Sequence, residues 1–168
     1  MKTIDILQGT ADLKGLGINF STDCFNDHVM VDSMRTQQII MNLLSNAIKF
    51  SKVDCEIKVK VKYEPVDKDN VFVDVHVIDK GIGINQEDQL SLFKAHFVTS
   101  DEESKSLNQQ SHGIGLSICD KISNALGGTL SVKSELGKGA TFTYRFKCQV
   151  IEVKTIDLES IRDKLHRE

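Results

Sequence analysis

The sequence predicts an α+β fold, a two-layer α/β sandwich whose mixed, mainly antiparallel sheet of about five strands is covered on one face by three helices. Three observations predict it. Residues 55–63 and 71–79 both alternate apolar and polar side chains, the pattern of a hairpin with one buried face. Residues 33–50 carry an apolar stripe at helical spacing. A further helical stretch that opens at Gly113 leads into two more alternating segments, 129–134 and 140–146, joined by Gly137-Lys138-Gly139.

Taken in order, residues 1–15 are weakly patterned and give no clear element. Leu16-Gly17-Ile18-Asn19-Phe20 and His28-Val29-Met30-Val31 each suggest a short strand. Asp32 or Ser33 then suits a helix N-cap, because a short side-chain oxygen can take a free N–H of the first turn. The helix is expected to end near Phe50. Its apolar stripe is Ile39, Ile40, Leu43, Leu44, Ala47 and Ile48; Gln38, Asn42, Asn46 and Lys49 stack on the other side. Pro65 to Asn70 is expected to turn the hairpin. Val71, Val73, Val75 and Val77 share one strand face, and Asp79 has the same parity. Gln86 to Phe93 reads as a short helix. Residues 99–112, with Leu107 as their one apolar side chain, read as a long polar loop of the kind that forms lids. The helix from Gly113 carries Leu116, Ile118, Cys119, Ile122 and Leu126 and stops at Gly127-Gly128. Beyond residue 150, Leu158, Ile161 and Leu165 fit either a terminal helix or a linker.

Composition narrows the function classes. The chain has 168 residues, 40% hydrophobic and 27% charged, with a net charge of −3 and a pI of about 6.0, so it lacks the basic footprint of a nucleic-acid or anionic-membrane binder. No apolar run reaches the roughly 20 residues of a membrane span. The start, with Asp5 and Asp12 and no continuous apolar stretch, does not read as a signal peptide. Cys24, Cys55, Cys119 and Cys148 show no CxxC and no zinc spacing, and read as free thiols in a reducing compartment.

Four features concentrate chemistry. A pair of asparagines one turn apart with a lysine a turn later is unusual on a helix, because Asn is a poor helix former. Asp79, on the core side at a strand end, needs hydrogen-bond donors if it is ionised. The following Lys80-Gly81-Ile82-Gly83-Ile84 is a loop whose glycines allow close backbone approach. The helix start at Gly113 offers free N–H groups to an anion. An asparagine oxygen together with phosphate oxygens suits Mg²⁺, which takes few protein ligands, and Lys49 would bring charge to phosphate.

In this order and spacing the set closely resembles the ATP-binding domain of sensor histidine kinases, the Bergerat-type fold. NLLSNAIKF (42–50) looks like its N box, DKGIGI (79–84) its G1 box, LFKAHF (92–97) its F box, HGIGLSI (112–118) its G2 box and GKGATF (137–142) its last glycine-rich box. Asp32 and Arg35, the lid and residues 147–168 most resemble hybrid histidine kinases. The resemblance implies ATP and Mg²⁺ as cofactors. Asn46 would chelate Mg²⁺, with Asn42 beside the metal and phosphates. Lys49 would contact phosphate, with the aromatic Phe50 next to it. Asp79 would accept from the adenine amine, and Gly81, Gly83 and Ile84 would line the base. Gly113, Gly115 and Leu116 would form the hinge of the lid and meet phosphate. Thr141 would reach adenine through water. ATP would then sit between helix 33–50, the Asp79 loop and the lid.

The chain also departs from the pattern. Ser111 replaces a glycine found in many relatives, and Phe93 and Phe97 are four apart, with no proline in that box. If Thr141 faces nucleotide, Phe142, Tyr144 and Phe146 face the other side of the sheet and need cover from residues 1–15 or 150–165. None of His28, His76, His96, His112 and His166 sits in the context of a phosphoacceptor histidine. The resemblance therefore implies a catalytic module, residues 32–146 with a lid at about 97–112, a lead-in at 1–31 and a tail or linker at 147–168. It would transfer the γ-phosphate to a histidine on a separate dimerisation domain, with a response-regulator receiver domain downstream. The isolated domain is expected to be monomeric and to be the cytosolic portion of its protein, with or without a membrane anchor. Two alternatives stay open: an ATPase of the gyrase, mismatch-repair or chaperone kind, and a regulatory module that binds ATP without transfer. ATPases of that kind carry a glutamate where this chain has Asn42, which cannot act as a general base.

Overall fold

A computed structural model describes residues 2–23, 28–94 and 114–151, with side chains from residue 7 onward. The expected lid, with Phe97, Ser111, His112 and Gly113, lies outside the described residues, as do Cys24 and the tail beyond Ile151. The elements run α1 (Lys2–Asp12), β1 (Gly17–Thr22), β2 (His28–Met30), α2 (Ser33–Phe50), β3 (Glu56–Asp67), β4 (Asn70–Ile78), α3 (Gln86–Gln89), α4 (Gly115–Ala125), β5 (Thr129–Glu135) and β6 (Gly139–Ile151).

Among the described residues the strands form one six-stranded sheet in the order β1-β3-β4-β6-β2, with β5 also paired to β6. Only the β1–β3 pair is parallel; the other pairs are antiparallel. β6 is long enough to hold β5 along its first part and β2 at its end, so β5 and β2 share one of its edges. The mixed α+β class is therefore as expected, with one strand more than the sequence suggested.

Strand parity places the core. Val71, Val73, Val75 and Val77 of β4 and Ala140, Phe142, Tyr144, Phe146 and Cys148 of β6 are buried, and Ile57 and Val59 of β3 join them. On α2 the buried residues are Ile39, Leu43, Leu44, Ala47 and Ile48, the expected stripe. These faces form one apolar cluster, to which α4 adds Cys119 and α1 adds Ala11. Phe142, Tyr144 and Phe146 thus belong to the main core, with Tyr144 and Phe146 stacked at 4.5 Å between centroids. The separate cover expected for them from residues 1–15 or 150–165 is not required.

Helix α2 begins as the sequence indicates: the N-cap is Asp32, whose Oδ1 accepts from the Arg35 N–H at 3.0 Å. Other boundaries move. α1 was not expected; Ala11 is fully buried in it and Leu7 packs on the core. β3 runs on through Pro65, beyond the last β1 pairing at Val61, so the proline's missing N–H falls where no second strand needs it. The turn then shrinks to Lys68 and Asp69, tightened by Asp67 Oδ1 accepting from the Asp69 N–H at 2.9 Å. α3 ends at Gln89, shorter than expected, and α4 starts at Gly115 rather than Gly113. Residues 2–22 are integral to the domain, because β1 pairs with β3 and Leu16 is buried.

Candidate functional site

The site is built where the end of α2, the loop after β4 and the turn before β6 meet. Asp79 follows β4 and keeps its core-side parity, so its side chain is buried, 6% exposed. Both of its hydrogen bonds fall on one oxygen: Oδ1 accepts from the Gly81 N–H at 2.8 Å and from the Ala140 N–H at 3.2 Å. Among the described residues Oδ2 is left for another donor. Burial holds the carboxyl above the usual carboxylate range, and the two backbone donors pull it partly back.

Glycine is required around Asp79 by close approach. A Cβ on Gly81 would lie 2.3 Å from the Phe50 carbonyl oxygen and 2.8 Å from Asp79 Oδ1. Gly83, at φ +74°, would put a Cβ 2.1 Å from the Glu135 carbonyl oxygen. The loop is pinned on both flanks: Ile82 N–H donates to Phe50 O at 3.3 Å, Gly137 N–H to Ile82 O at 2.6 Å, and Ile84 N–H to Ser134 Oγ at 2.9 Å. Ser51 forms an antiparallel bridge with Gly81, which ties the loop to the end of α2.

The asparagine pair is brought together on α2, with Asn46 Nδ2 donating to Asn42 Oδ1 at 3.3 Å. α4 begins against them: a Cβ on Gly115 would be 2.5 Å from Asn42 Nδ2. The N-cap of α4, Ile114, makes no side-chain cap bond to the first-turn N–H groups. Leu116 packs against the core, as do Ile84, Leu92 and Phe93.

Lys49 lies in the last turn of α2, three residues after Asn46. Its Nζ lies 5.1 Å from the Phe50 ring centroid, and burial lowers its pKa from the ordinary lysine value. With Leu7, Thr10, Leu13, Lys14, Ser45 and Ile48 it lines a cavity of about 370 Å³ between α1 and α2. Lys14 closes that side by donating to Ile48 O at 2.8 Å and Lys49 O at 2.7 Å, carbonyls that the helix end leaves without partners.

One expected site residue is displaced. Thr141 pairs across the ladder with Ile78 and Lys133, on the outer face of the sheet, whereas Ala140 takes the Asp79 side. The reason is the two-residue repeat of a strand: once Phe142, Tyr144 and Phe146 enter the core, the residue before Phe142 must face out. Sequence reasoning also gave Ser51 and Lys14 no role; neither carries a signal beyond its place at a helix end.

The remaining expectations sit away from this cleft. His76 is on the outer face, its Nδ1 2.9 Å from Thr143 Oγ1, and His28 is exposed. Cys55, Cys119 and Cys148 are free thiols, and burial pushes the Cys119 thiol up to about 11. Among the described residues there is no cluster of three or more His, Cys, Asp or Glu side chains able to hold a metal, and no helix is long and apolar enough to cross a membrane.

Residues 31–150 match the family described as histidine kinase-, DNA gyrase B-, and HSP90-like ATPase. Among curated proteins, the sensor histidine kinase RcsC of Salmonella typhimurium is 40% identical over 114 residues, which cover 68% of this chain and 11% of that protein. The signal transduction histidine-protein kinase BarA of Escherichia coli is 36% identical over 145 residues, covering 85% of this chain and 15% of that protein. The match thus spans a small part of these relatives. Among solved structures, full-length ShkA in complex with AMPPNP aligns at a TM-score of 0.69 and 25% identity, over 89% of this chain and 29% of that one. The nucleotide-free catalytic domain of the histidine kinase ThkA, at 24% identity, shares the fold with a TM-score of 0.67 over 87% of this chain and 89% of that one.

Proposed function

The chain belongs to the histidine kinase-, DNA gyrase B-, and HSP90-like ATPase family, and we propose that within it the chain is the ATP-binding catalytic module of a two-component sensor histidine kinase. The observation that carries this reading is Asp79: a buried carboxylate whose two backbone donors share one oxygen, beside a glycine loop that no larger residue could form. Oδ2 is then the acceptor for the exocyclic amine of adenine, and Gly81, Gly83 and Ile84 let the loop lie along the base. Relatives at up to 40% identity are named as sensor histidine kinases, which supports the same assignment.

The donor set fits Mg²⁺ and a triphosphate at the other end. Asn42 and Asn46 present neutral amide oxygens from adjacent turns, and no acidic cage competes among the described residues. Asn46 would hold the ion, with Asn42 at its side. When bound, Mg²⁺ supplies neutralisation of phosphate charge. Lys49 adds a cation from the same helix, and the uncapped start of α4 at Gly115 and Leu116 turns N–H groups toward phosphate oxygens.

The work left to this chain is positioning and charge stabilisation, which phosphoryl transfer mainly needs. Asn42, where a water-activating glutamate would stand in an ATPase, cannot take a proton, and this favours transfer over hydrolysis. The acceptor is a histidine on a separate dimerisation domain, residues 32–146 carry the nucleotide-binding boxes, β6 extends this core to Ile151, and the residues after it are a tail or linker toward a receiver domain. A cytosolic setting accords with the free thiols. The test is incubation of the chain with γ-labelled ATP, Mg²⁺ and a separate histidine-bearing domain. Acid-labile, base-stable label on that domain is the expected result. Release of inorganic phosphate without labelled histidine would instead support the ATPase reading.

A further inference from the structure

Ser51, the residue after α2, is 4% exposed. Its backbone is fixed twice, by donation of its N–H to Ala47 O at 3.0 Å and by the bridge to Gly81. Its hydroxyl, in contrast, is buried and meets no hydrogen-bond partner among the described residues. An orphan hydroxyl in the interior is costly, and native proteins keep one where a ligand or an ordered water completes it.

Gly81 shows which way the hydroxyl lies. Residues paired across an antiparallel bridge carry their Cβ atoms on the same side. A Cβ on Gly81 would fall 2.8 Å from Asp79 Oδ1, so the Ser51 side chain leaves its backbone on the Asp79 side. Other buried polar atoms without partners lie elsewhere: Asp74 Oδ1 is on the outer sheet face beside Arg145, Ser123 Oγ is on α4, and the Tyr144 hydroxyl belongs to the main core. Ser51 Oγ is the one that borders the Asp79 loop. Thr141, the hydroxyl expected there, faces the opposite side of the sheet and leaves that role open.

We propose that Ser51 is a nucleotide-binding residue, whose buried hydroxyl beside Gly81 bonds the polar edge of the purine, directly or through a water shared with Asp79. The proposal rests on the adenine reading of Asp79. It gives the residue after the N box a ligand role, with Gly81 as the residue that makes room for it.

The test is calorimetric titration of the parent chain, Ser51→Ala, Ser51→Thr, Asp79→Asn and the Ser51→Ala/Asp79→Asn double variant with ATP, together with thermal unfolding of each without nucleotide. Ser51→Ala is expected to bind ATP about fivefold more weakly. Its nucleotide-free midpoint should be unchanged or raised, because the hydroxyl loses no protein partner. Ser51→Thr, which keeps the hydroxyl, should retain affinity. The double variant should lose less than the product of the two single losses, because both groups serve one network. Parent-like ATP affinity in Ser51→Ala overturns the proposal, as does a lowered midpoint with affinity intact, which marks a structural hydroxyl. A parent chain that does not bind ATP overturns the adenine reading of Asp79 itself, so the two failures are told apart.

Discussion

The Gly81 N–H donates to Asp79 Oδ1 at 2.8 Å, and a Cβ on Gly81 would stand 2.8 Å from the same oxygen. The carboxylate and the glycine therefore determine each other. The glycine gives Asp79 one of its two donors and leaves room beside it, and the carboxylate fixes the loop that must pass close to the base. An asparagine at 79 could still accept both backbone N–H groups through its own oxygen, but its amide nitrogen cannot accept from a ligand amine. Asp79→Asn should keep the fold and weaken ATP by about 1.5–3 kcal/mol, the range for hydrogen bonds to charged groups. Calorimetric titration beside a circular-dichroism spectrum checks both halves.

The same residue sets a pH dependence. Burial raises the Asp79 carboxyl above its ordinary value in the folded chain. The folded state therefore binds that proton more tightly than the unfolded state. The resulting stability is present below the ordinary carboxylate value and is lost as pH rises through the raised one. Without nucleotide, Asp79→Asn should unfold at the same or a higher temperature than the parent at neutral pH. The difference should shrink as the buffer approaches the ordinary carboxylate range, as thermal melts across that interval would show.

Gly81→Ala puts a methyl group 2.3 Å from the Phe50 carbonyl oxygen, a backbone atom that cannot swing aside. The Ser51–Gly81 bridge should open. A cost of about 1–3 kcal/mol in stability is expected, as for overpacking, with loss of ATP binding. Denaturant unfolding measures the first effect and titration the second.

Asn46→Ala removes the amide oxygen proposed for Mg²⁺ and the donor to Asn42, while the apolar side of α2 is untouched. Mg²⁺ should then no longer strengthen ATP binding, and affinity without the metal should change little. Paired titrations with Mg²⁺ and with a chelator check this. A Mg²⁺ effect equal to the parent's would remove Asn46 from the metal site.

Lys14→Met deletes the donor to Ile48 O and Lys49 O and keeps most of the side-chain volume. The last turn of α2, which carries Lys49 and Phe50, should fray, at a cost of about 1 kcal/mol. Leu43→Ala in the core should cost far more, about 2–5 kcal/mol. Chemical denaturation of the two variants side by side tests the ranking.

Much of the domain was legible because its signals repeat. The valines of β4 and the stripe on α2 recur at the period of their element, and Asp79 inherits its burial from that parity. α1 was illegible because Gly9 interrupts a short polar helix; the spacing of Ile4, Leu7 and Ala11 was the signal available. The face of Thr141 was left open by the sequence, because its alternation with Phe142, Tyr144 and Phe146 fixes only that they lie on opposite sides; the buried aromatics decide which side is the core. Ser51 had no signal at all. A serine after a helix reads as a solvated end, and only the bridge to Gly81 makes it an interior group.

Titration of the chain with a non-hydrolysable ATP analogue, with and without Mg²⁺, bears most directly on the central claim that Asp79 and the asparagine pair hold the two ends of one nucleotide. The account predicts saturable one-to-one binding that Mg²⁺ strengthens and that Asp79→Asn weakens. Heat-silent mixing with the parent chain, with no shift in its melting temperature at saturating analogue, would contradict it.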